Sequence, residues 1–451
     1  MATLAMKGSN PHSNSPPSAE NPVATVTTFS HDCRGVARLD GKAVFIDGAL
    51  PGETVRFRYL HRQKRYDTAE VVEIIKPSPD RVTPSCPHYG TCGGCGLQHM
   101  RPEVQLQSKQ QILSEQLELL GKVKPESWLA PITGPAFGYR RRARLGVRQV
   151  ASAGGVVIGF RQKNKSFLAD LETCLVLEPM VSALLPALHV LIDGLSCPDR
   201  IPQIEVAGGT NASSLVIRHL VPLTYEDRER LAAFGEANGI RIYLQPGKPD
   251  SIAPLWPSVH KPLYYRIPGF EVDIRFEPAD FIQINDAVNN AMVARVVELL
   301  EPTAKDAVLD LFCGLGNFTL PLARRAGRVL GVESEKALIE RARANAQLNK
   351  IMNVEFVHAD LYRESFNASW NHFAANKLLL DPPRSGAIEI IKSLVEPLPS
   401  RIVYVSCYPA TLARDSEYLV QVLGYRLTAA GVMDMFPQTS HVESMALFIK
   451  S

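Results

Sequence analysis

Short apolar segments alternate with helix-forming segments throughout residues 281–451, and this alternation constrains the fold more than any other feature of the chain. It is typical of a doubly wound sheet, in which helices join parallel strands. Ligands of such sheets bind beyond the carboxyl ends of the strands. The apolar segments are AVLDLFCG (307–314), RVLGVES (328–334), VEFVHAD (354–360), KLLLDPP (377–383), RIVYVSC (401–407), RLTAAGVMDMF (426–436) and SMALFIKS (444–451).

Two of these segments end in chemically reactive groups. Asp381 follows the apolar run 377–380, and Cys407 follows the run 401–405. Because both runs are predicted to be buried parallel strands, both side chains are expected at the same edge of the sheet. The alternative for Cys407 is a small, inert packing residue. Its place in a turn at a strand end favours function instead.

The segment DLFCGLGNF predicts a ligand-binding turn between a strand and a helix. Gly314 and Gly316 would let a ligand approach the backbone closely. Glu333 ends the next strand, where a carboxylate can accept hydrogen bonds from ribose hydroxyls, and Asp360 ends the third strand, within reach of an adenine edge. A dinucleotide-binding fold is the rival interpretation. Thr319 occupies the position of its third glycine, so the pattern favours an adenosine without phosphates.

Three cysteines lie close together in CPHYGTCGGCG, at positions Cys86, Cys92 and Cys95. Thiols at these spacings, among glycines that let the backbone curl round an ion, indicate a metal or cluster site. A fourth ligand is needed, and Cys174 in LETCLVLEP is the best candidate. Four thiolates serve zinc and iron–sulfur clusters equally well, so the spacing leaves both open.

The 451-residue chain is too long for one ordinary core and predicts two to four domains. Its 49 basic and 46 acidic residues nearly balance, which excludes neither nucleic acids nor small molecules as partners. The sequence contains no 18-residue apolar stretch and no signal-peptide pattern, so a cytoplasmic protein without membrane segments is expected. Residues 1–22, rich in Ser, Pro and Asn, predict a disordered tail.

Residues 23–84 predict a small all-β barrel, because short alternating runs are separated by Gly, Asp and Pro. Basic and aromatic residues interleave between positions 56 and 66, a pattern suited to nucleic acid, with a solvated hairpin as the alternative. Residues 85–280 mix strands and helices and predict a central α+β domain.

An arginine-rich segment, RRRARLGVR (140–148), lies within this central region. In a strand, Arg140, Arg142 and Arg144 would share one face. Arginines in this number can neutralise several phosphates. The segment therefore predicts an RNA-binding strand, with a solvated edge strand as the alternative.

The C-terminal sheet resembles that of S-adenosylmethionine methyltransferases, and residues 24–451 as a whole resemble the bacterial RNA uracil-5-methyltransferase family. The resemblance rests on FIQIN (281–285), DLFCGLGNF, DPPR, SCYPATLARD and HVES. The barrel and the four cysteines are similar to the branch that acts on large-subunit rRNA. The resemblance implies an N-terminal TRAM β-barrel of OB-like type (23–84), a central α+β iron–sulfur domain (85–280) and a C-terminal α/β Rossmann-like methyltransferase domain (281–451).

The same resemblance implies partners and ligands. The substrate would be a uridine in 23S rRNA, bound by a monomeric protein. The same chemistry on tRNA or another rRNA uridine, and a noncatalytic RNA-binding assembly protein, are the alternatives. The implied cofactors are S-adenosylmethionine and a [4Fe-4S] cluster on Cys86, Cys92, Cys95 and Cys174. The implied cofactor-site residues are Gln283, Phe312, Asn317, Glu333, Asp360 and Asp381.

The implied reaction requires a thiolate and a base. Carbon 5 of uracil is a weak nucleophile, and a thiolate that adds to carbon 6 turns the ring into a reactive enolate. Cys407 is expected to supply the thiolate, helped by a lowered pKa or a nearby proton acceptor. Glu443 opens the last strand at the same sheet edge and is expected to remove the carbon 5 proton. The base must leave the RNA stack, and Phe281 is expected to stack on it.

Overall fold

The computed structural model describes residues 21–150, 154–259, 261–363 and 369–450. The chain divides into two units, residues 1–81 and residues 82–451. The tail predicted over residues 1–22 lies outside the described residues, except for its last two. Among the helices that the structure describes, none combines the length and the apolar character that a membrane span requires.

The described part of the first unit is a sheet of six short strands, β1 (Val23–Thr25), β2 (Thr28–Phe29), β3 (Gly35–Leu39), β4 (Lys42–Asp47), β5 (Thr54–Arg62) and β6 (Tyr66–Lys76). Burial alternates along β4 and β5, so that Val44, Ile46, Val55 and Phe57 enter a small apolar core. The strand order is β1-β5-β6-β4-β3-β2. Strands β1 and β2 lie at opposite edges of this sheet, but only two residues separate them in the chain. The two edges must therefore lie close together, which curls the sheet into the predicted barrel.

Residues 82–280 contribute α1 (Pro102–Leu119), β7 (Ser127–Trp128), β8 (Arg142–Val150), β9 (Gly155–Gly159), α2 (Pro179–Asp193), β10 (Gln203–Gly208), β11 (Ser213–Arg218), α3 (Tyr225–Asn238), β12 (Arg241–Gln245), β13 (Ala253–Trp256), β14 (Leu263–Ile267) and β15 (Val272–Phe276). Six of these strands form one sheet in the order β13-β12-β11-β10-β8-β9. Its neighbouring strands are antiparallel except β11 and β12, a parallel pair joined through α3. Strands and helices mix in this region as the sequence predicts.

The C-terminal region contains α4 (Asp286–Leu300), β16 (Ala307–Leu311), α5 (Thr319–Ala323), β17 (Arg328–Glu333), α6 (Lys336–Leu348), β18 (Val354–His358), β19 (Lys377–Leu380), α7 (Ile388–Ser393), β20 (Arg401–Ser406), α8 (Pro409–Gln421), β21 (Tyr425–Met433) and β22 (Glu443–Lys450). The sheet order is β18-β17-β16-β19-β20-β22-β21-β7. The strands from β18 to β20 are parallel, and β22 runs antiparallel to both β20 and β21. The predicted α/β sheet is confirmed.

Two elements from the predicted central region join this C-terminal sheet. Strand β7 extends the sheet by pairing in parallel with β21. In α1, the buried Lys109 ammonium donates to the Asp434 carboxylate at 2.7 Å, and Gln105 exchanges hydrogen bonds with Gln438. The predicted boundary at residue 280 stays a prediction, and long-range contacts cross it.

Candidate active site at the carboxyl ends of the strands

Three strands bring Asp381, Cys407 and Glu443 to one edge of the C-terminal sheet. Asp381 follows β19, Cys407 follows β20, and Glu443 is the first residue of β22. Ser406 pairs with Ser444 in the antiparallel ladder, so the next positions along it are Cys407 and Glu443. The structure therefore brings the two predicted catalytic residues together and sets Asp381 on the neighbouring strand.

Desolvation raises the pKa of all three groups. It raises the pKa of Asp381 to about 7. It also raises the pKa of Glu443 to about 8, with a further contribution from the charge of Asp381. The pKa of the Cys407 thiol rises to about 11 through desolvation and then the charges of Glu443 and Asp381. The expected lowering of the thiol pKa is wrong here, and the alternative, a nearby proton acceptor, stays a prediction for which Asp381 and Glu443 are the candidates.

Arg384 of the DPPR turn is a site residue that the sequence analysis did not assign. Its positive charge lowers the pKa of both Cys407 and Glu443 against the effect of burial. Its Nη2 lies 3.0 Å from Nδ1 of His441. Burial, and then Arg384, lowers the pKa of His441, so the neutral imidazole accepts this hydrogen bond. Arg384 is thereby held where it can stabilise negative charge.

The DPPR turn itself is anchored by Asp415 of α8. This fully buried carboxylate accepts from the Ala387 backbone N–H at 2.6 Å and from the Tyr404 hydroxyl at 2.7 Å. Gly386 has φ +77°, and a Cβ there would lie 2.7 Å from Asp415 Oδ2. The turn therefore needs glycine at this position, and the SCYPATLARD segment supports the site through Asp415.

The glycine turn after β16 leaves an open space beside Glu333. Gly314 and Gly316 have φ of +53° and +90°, and a Cβ on Gly314 would meet no atom within 4 Å. The Glu333 carboxylate accepts from the Gly314 N–H at 3.2 Å through Oε2 and from the Ser334 N–H at 2.7 Å through Oε1. The carboxylate is thus fixed at the end of β17, and among the described residues Oε2 accepts only the Gly314 N–H, which leaves a lone pair for a ligand.

Thr319 stands where a dinucleotide-binding fold has its third glycine, and its side chain binds Asp310. The Thr319 hydroxyl donates to Oδ2 of the buried Asp310 at 2.6 Å. Oδ1 of Asp310 is buried and has no hydrogen-bond partner among the described residues. Desolvation, and then the charges of Asp381 and Glu333, raises the pKa of Asp310 to about 8.

Asn317 lies within a buried hydrogen-bond network. Its Oδ1 accepts from the Tyr265 hydroxyl at 3.0 Å and from Asn289 Nδ2 at 3.1 Å, and its Nδ2 donates to Asn289 Oδ1 at 2.9 Å. Tyr265 and Asn289 are buried. Both ends of the Asn317 amide are therefore held by partners, one of which lies outside the predicted methyltransferase domain.

Gln283 is positioned by Arg141 of the central region. Arg141 is 3% exposed, and its Nε donates to the Gln283 backbone carbonyl at 2.8 Å. Nη1 donates to Asp286 at 2.6 Å, and the guanidinium lies 4.6 Å from the Tyr265 ring centroid. Phe281 is 71% exposed, so its ring is available to a partner from outside. Sequence reasoning missed Arg141 because no local pattern links it to Gln283.

Phe312 and Asp360 complete the predicted cofactor residues. Phe312 has φ +69°, and its ring centroid lies 5.8 Å from that of Tyr362. Strand pairing places His358 beside Glu333, and Asp360 follows two residues further along the same edge. Asp360 Oδ1 accepts from the Tyr362 N–H at 3.1 Å. Five of the six predicted cofactor residues, Phe312, Asn317, Glu333, Asp360 and Asp381, thus lie at or after strand ends on the same carboxyl edge, and Gln283 lies just before α4, whose Asn289 contacts Asn317.

The four predicted metal-binding cysteines line one small cavity, together with Phe160. Cys174 is buried, and the other three are partly buried. The Gly94 N–H donates to Cys92 Sγ at 3.3 Å, and backbone N–H groups of Val176 and Leu177 bond to the Cys174 sulfur. Among the described residues, no group of three or more His, Cys, Asp or Glu side chains is arranged to hold a metal ion. The structure thus shows the shared cavity and not a formed centre.

The arginine segment differs from the prediction. Strand β8 begins at Arg142, so Arg140 lies before the strand, and its guanidinium lies 5.3 Å from the Phe160 ring centroid. Arg142 donates to backbone carbonyls of Pro278 and Ala279. Arg144 and Arg148 are exposed. The face available to a partner therefore carries Arg144 and Arg148, and not the predicted trio.

Two family models match the chain. A tRNA (uracil-5-)-methyltransferase model matches residues 264–451, and a TRAM domain model matches residues 23–72. The fold is similar to the crystal structure of the Pyrococcus abyssi tRNA (uracil-54, C5)-methyltransferase in complex with S-adenosyl-L-homocysteine, with a TM-score of 0.73 and 25% identity over 95% of this chain and 99% of that one. The fold and the site thus define an RNA uracil-5-methyltransferase.

Relatives that match nearly the whole chain identify the family within this class. The chain is 51% identical over 423 residues to the 23S rRNA (uracil(1939)-C(5))-methyltransferase RlmD of Alkalilimnicola ehrlichii, covering 94% of this chain and 95% of the relative. It is 49% identical to the enzyme of the same name from Alcanivorax borkumensis, covering 95% and 96% of the two chains. The chain belongs to the RlmD family of RNA uracil-5-methyltransferases.

Proposed function

We propose that this protein methylates carbon 5 of a uridine in 23S rRNA through a covalent bond between Cys407 and carbon 6 of the uracil. One observation carries the covalent mechanism. The register of β20 and β22 puts a cysteine beside a carboxylic acid at the carboxyl edge of a methyltransferase sheet. A binding module would have no use for this arrangement.

The proposed steps follow from the two side chains. The Cys407 thiol loses its proton to the Asp381 carboxylate, which leaves Glu443 ionised for the later step, and the thiolate adds to carbon 6, which makes carbon 5 nucleophilic. Carbon 5 takes the methyl group and then carries both that group and its original hydrogen. Glu443 removes this proton, and the electron pair of the carbon–hydrogen bond restores the ring as the carbon 6–sulfur bond breaks. Because its pKa is raised to about 8, ionised Glu443 is a stronger base than an ordinary carboxylate.

S-adenosylmethionine, when bound, would supply the methyl group. The open space beside the glycine turn fits such a ligand. Gln283, Phe312, Asn317, Glu333, Asp360 and Asp381 are the proposed binding residues. Glu333 would accept hydrogen bonds from the ribose, and Asp381 would hold the cofactor or the base.

The target uridine would have to leave the RNA stack to reach Cys407, which lies past the strand ends and is partly buried. Phe281 is the proposed stacking partner because it is a largely exposed aromatic residue two positions before Gln283. Base–aromatic stacking contributes about 1–3 kcal/mol. Part of the unstacking free energy would be recovered there.

We propose that Cys86, Cys92, Cys95 and Cys174 hold a [4Fe-4S] cluster. Their donor set and their common cavity fit this group, and backbone N–H donors to the sulfurs are typical of cluster sites. The cluster would cross-link residues 86–95 to the segment around Cys174. This link would fix both segments against the central sheet.

A groove next to the cysteine cavity supports binding of RNA phosphates. It has a volume of about 510 Å³ and is lined by Arg144, Arg148 and Arg161. The Gly93 N–H donates to the Arg161 carbonyl at 2.9 Å, and Phe160 lines both cavities. The cluster would therefore hold Arg161 in the groove.

The covalent mechanism is tested by what accumulates in two variants. Cys407→Ala should form neither methylated RNA nor a protein–RNA adduct. Glu443→Gln can still add to the uracil and methylate it, but the cysteine cannot be expelled. A methylated adduct that survives denaturing electrophoresis should therefore accumulate in Glu443→Gln alone.

Three results would contradict parts of this proposal. Normal turnover of Glu443→Gln would assign the base to another group, with Asp381 next. An adduct in Cys407→Ala would move the nucleophile to another cysteine, such as Cys313. If cells that lack the protein lose 5-methyluridine from tRNA and keep it in 23S rRNA, the RNA substrate is wrong.

A further inference from the structure

The segment 434–442 joins β21 to β22 and leads directly into Glu443. Met433, the last residue of β21, is the cross-strand partner of Glu443 in the antiparallel ladder, and the Cα atoms of such a pair lie about 5 Å apart. Asp434 is the next residue after Met433. A group that binds Asp434 therefore lies near Glu443 and can affect both its position and its charge.

Helix α1 places a buried lysine against this segment. Lys109 is 1% exposed, and its Nζ donates to Asp434 Oδ1 at 2.7 Å and to the Phe436 carbonyl at 3.1 Å. Taking an ammonium ion out of water is unfavourable unless such acceptors bind it. Lys109 is therefore held in one place beside the segment.

The Phe436 carbonyl links Lys109 to the rest of the segment. It also accepts from the Thr439 hydroxyl at 2.9 Å, and the Thr439 oxygen in turn accepts from the His441 N–H at 3.3 Å. The rings of Phe436 and His441 lie with their centroids 4.9 Å apart. Lys109 thus anchors the backbone that carries His441 and leads into Glu443.

Charged and titratable groups from several elements lie near Glu443. They are Asp381 and Arg384 after β19, Cys407 after β20, Asp434 after β21, His441 before β22 and Lys109 on α1. Desolvation, and then the charge of Asp381, raises the pKa of Glu443. The charges of Arg384 and then Lys109 lower that pKa. The Lys109 ammonium therefore favours the ionised carboxylate, which is the form that accepts a proton.

We propose that Lys109 is a positioning residue for removal of the carbon 5 proton. It anchors the 434–442 segment that brings Glu443 to the carboxyl edge, and its charge favours the ionised carboxylate that this step requires. Lys109 acts through Glu443 rather than on the substrate. This role rests on the proposed function of Glu443 as the base, and it gives α1, which precedes the methyltransferase domain, a part in the chemistry.

The test follows the elimination step in the full-length protein with S-adenosylmethionine and a 23S rRNA fragment. In a single turnover, denaturing gels give the rate constant at which methylated RNA leaves the protein–RNA adduct. The midpoint of its pH profile is the pH at which this rate constant is half its maximum. Lys109→Met removes the positive charge, so the midpoint should rise by at least about 0.3 pH unit, which is a twofold change in the ionised fraction. Asp434→Asn removes the opposing negative charge, so the midpoint should fall.

A double variant keeps the test decisive if the unpaired Asp434 carboxylate prevents Lys109→Met from folding. Lys109→Met combined with Asp434→Asn removes both charges of the pair and leaves neither ion without its partner. Its midpoint should lie above that of Asp434→Asn alone, because the two proteins differ only at Lys109.

Gln105→Leu is the matched control. Gln105 lies one turn before Lys109 on the buried face of α1 and exchanges hydrogen bonds with Gln438 of the same segment. This variant loosens the segment without changing a charge, so it should lower the maximum rate constant and leave the midpoint in place. An equal shift of the midpoint in Gln105→Leu and Lys109→Met would assign the effect to loosening of the segment and overturn the role of the charge.

Two further outcomes separate this role from the proposed function. Glu443→Gln, measured alongside, should retain the adduct at every pH. If Glu443→Gln instead releases RNA normally, the proposed function fails, and the role of Lys109 fails with it. If Glu443→Gln retains the adduct but removal of the Lys109 charge leaves the midpoint unchanged, the role of Lys109 alone is overturned.

Discussion

Cys407 and Glu443 occupy the positions next to the paired residues Ser406 and Ser444, and the charge of Glu443 adds to desolvation in raising the pKa of the Cys407 thiol to about 11. The two groups are therefore coupled. The ionised Glu443 carboxylate opposes formation of a second negative charge on the Cys407 sulfur.

This coupling predicts the effect of Glu443→Gln on the thiol itself. Without the carboxylate charge the thiol pKa should fall, so alkylation of Cys407 by iodoacetamide should be faster at pH 8–10 than in the unmodified protein. Peptide mass spectrometry would give the rate for Cys407 alone. Glu355→Gln, at an exposed position, is the matched control, and equal rates for the Glu443 variant would show that the two groups are not coupled.

Asp310 predicts a pH dependence of stability. Its pKa is raised to about 8 in the folded state from an ordinary value of 3.8. The folded state therefore keeps a proton that the unfolded state has lost, and the free energy of unfolding should fall as pH rises between these values. Between these values the free energy of unfolding should fall by about 1.4 kcal/mol per pH unit. The stability that depends on this group is fully present below about pH 4 and is lost as the pH rises to about 8.

Asp310→Asn should remove this pH dependence of the free energy of unfolding. Urea unfolding at pH 5.5, 6.5 and 7.5 should give a smaller decrease in the free energy of unfolding for the variant than for the unmodified protein. Asp250→Asn, at an exposed position, should retain the full decrease. A slope unchanged by Asp310→Asn would show that the Asp310 carboxyl is already ionised in the folded protein.

Local patterns were sufficient to predict the strands that carry the site. The runs ending before Asp381 and Cys407 are buried parallel strands, and Glu443 opens the last strand, because apolar runs and the turns after them are set by neighbouring residues. Contacts between distant segments were not predictable in this way. Arg140 forms bridges with Leu177 and Asn285 and so lies outside the strand expected for it. Its position depends on pairing partners that its own sequence does not reveal.

The residues that the sequence analysis missed also make contacts between distant segments of the chain. Arg141 reaches the carbonyl of Gln283, Lys109 pairs with Asp434, and β7 pairs with β21 about 300 residues away along the chain. Each depends on tertiary packing, and none leaves a periodic signal. Arg384 could have been found, since it belongs to the DPPR motif at a strand end.

Arg141→Lys should weaken cofactor binding and stability together. Lysine keeps the charge but cannot donate in two fixed directions to Gln283 and Asp286. The free energy of unfolding should fall by about 2 kcal/mol, and the dissociation constant for S-adenosylmethionine should rise several-fold in calorimetry. Arg144→Lys on the exposed face of β8 should change neither. Unchanged cofactor affinity in Arg141→Lys would show that the Gln283 segment is held by other contacts.

The cysteine cavity predicts a coloured protein. Anaerobically purified protein should absorb broadly near 400 nm and contain iron and acid-labile sulfide. Cys174→Ser should lose the absorbance as fully as Cys92→Ser, because both residues line the cavity. Cys197→Ser, outside the cavity, should keep it. Stoichiometric zinc without sulfide would replace the cluster by a zinc site, and absorbance retained in Cys174→Ser would exclude Cys174 as the fourth ligand.

The arginine groove predicts how RNA affinity depends on salt. Replacing Arg148 and Arg161 by Gln should reduce the slope of log affinity against log salt by roughly one unit for each phosphate that the variant no longer neutralises. Cys92→Ser should also reduce the slope, because the backbone around Cys92 holds the Arg161 carbonyl through Gly93. Adding Arg161→Gln to Cys92→Ser should then change the slope little further. Filter binding between 50 and 300 mM salt would measure this, with Arg325→Gln as control. A slope unchanged by the arginine variants would mean that the groove faces only water, and additive effects would mean that the cysteines do not position it.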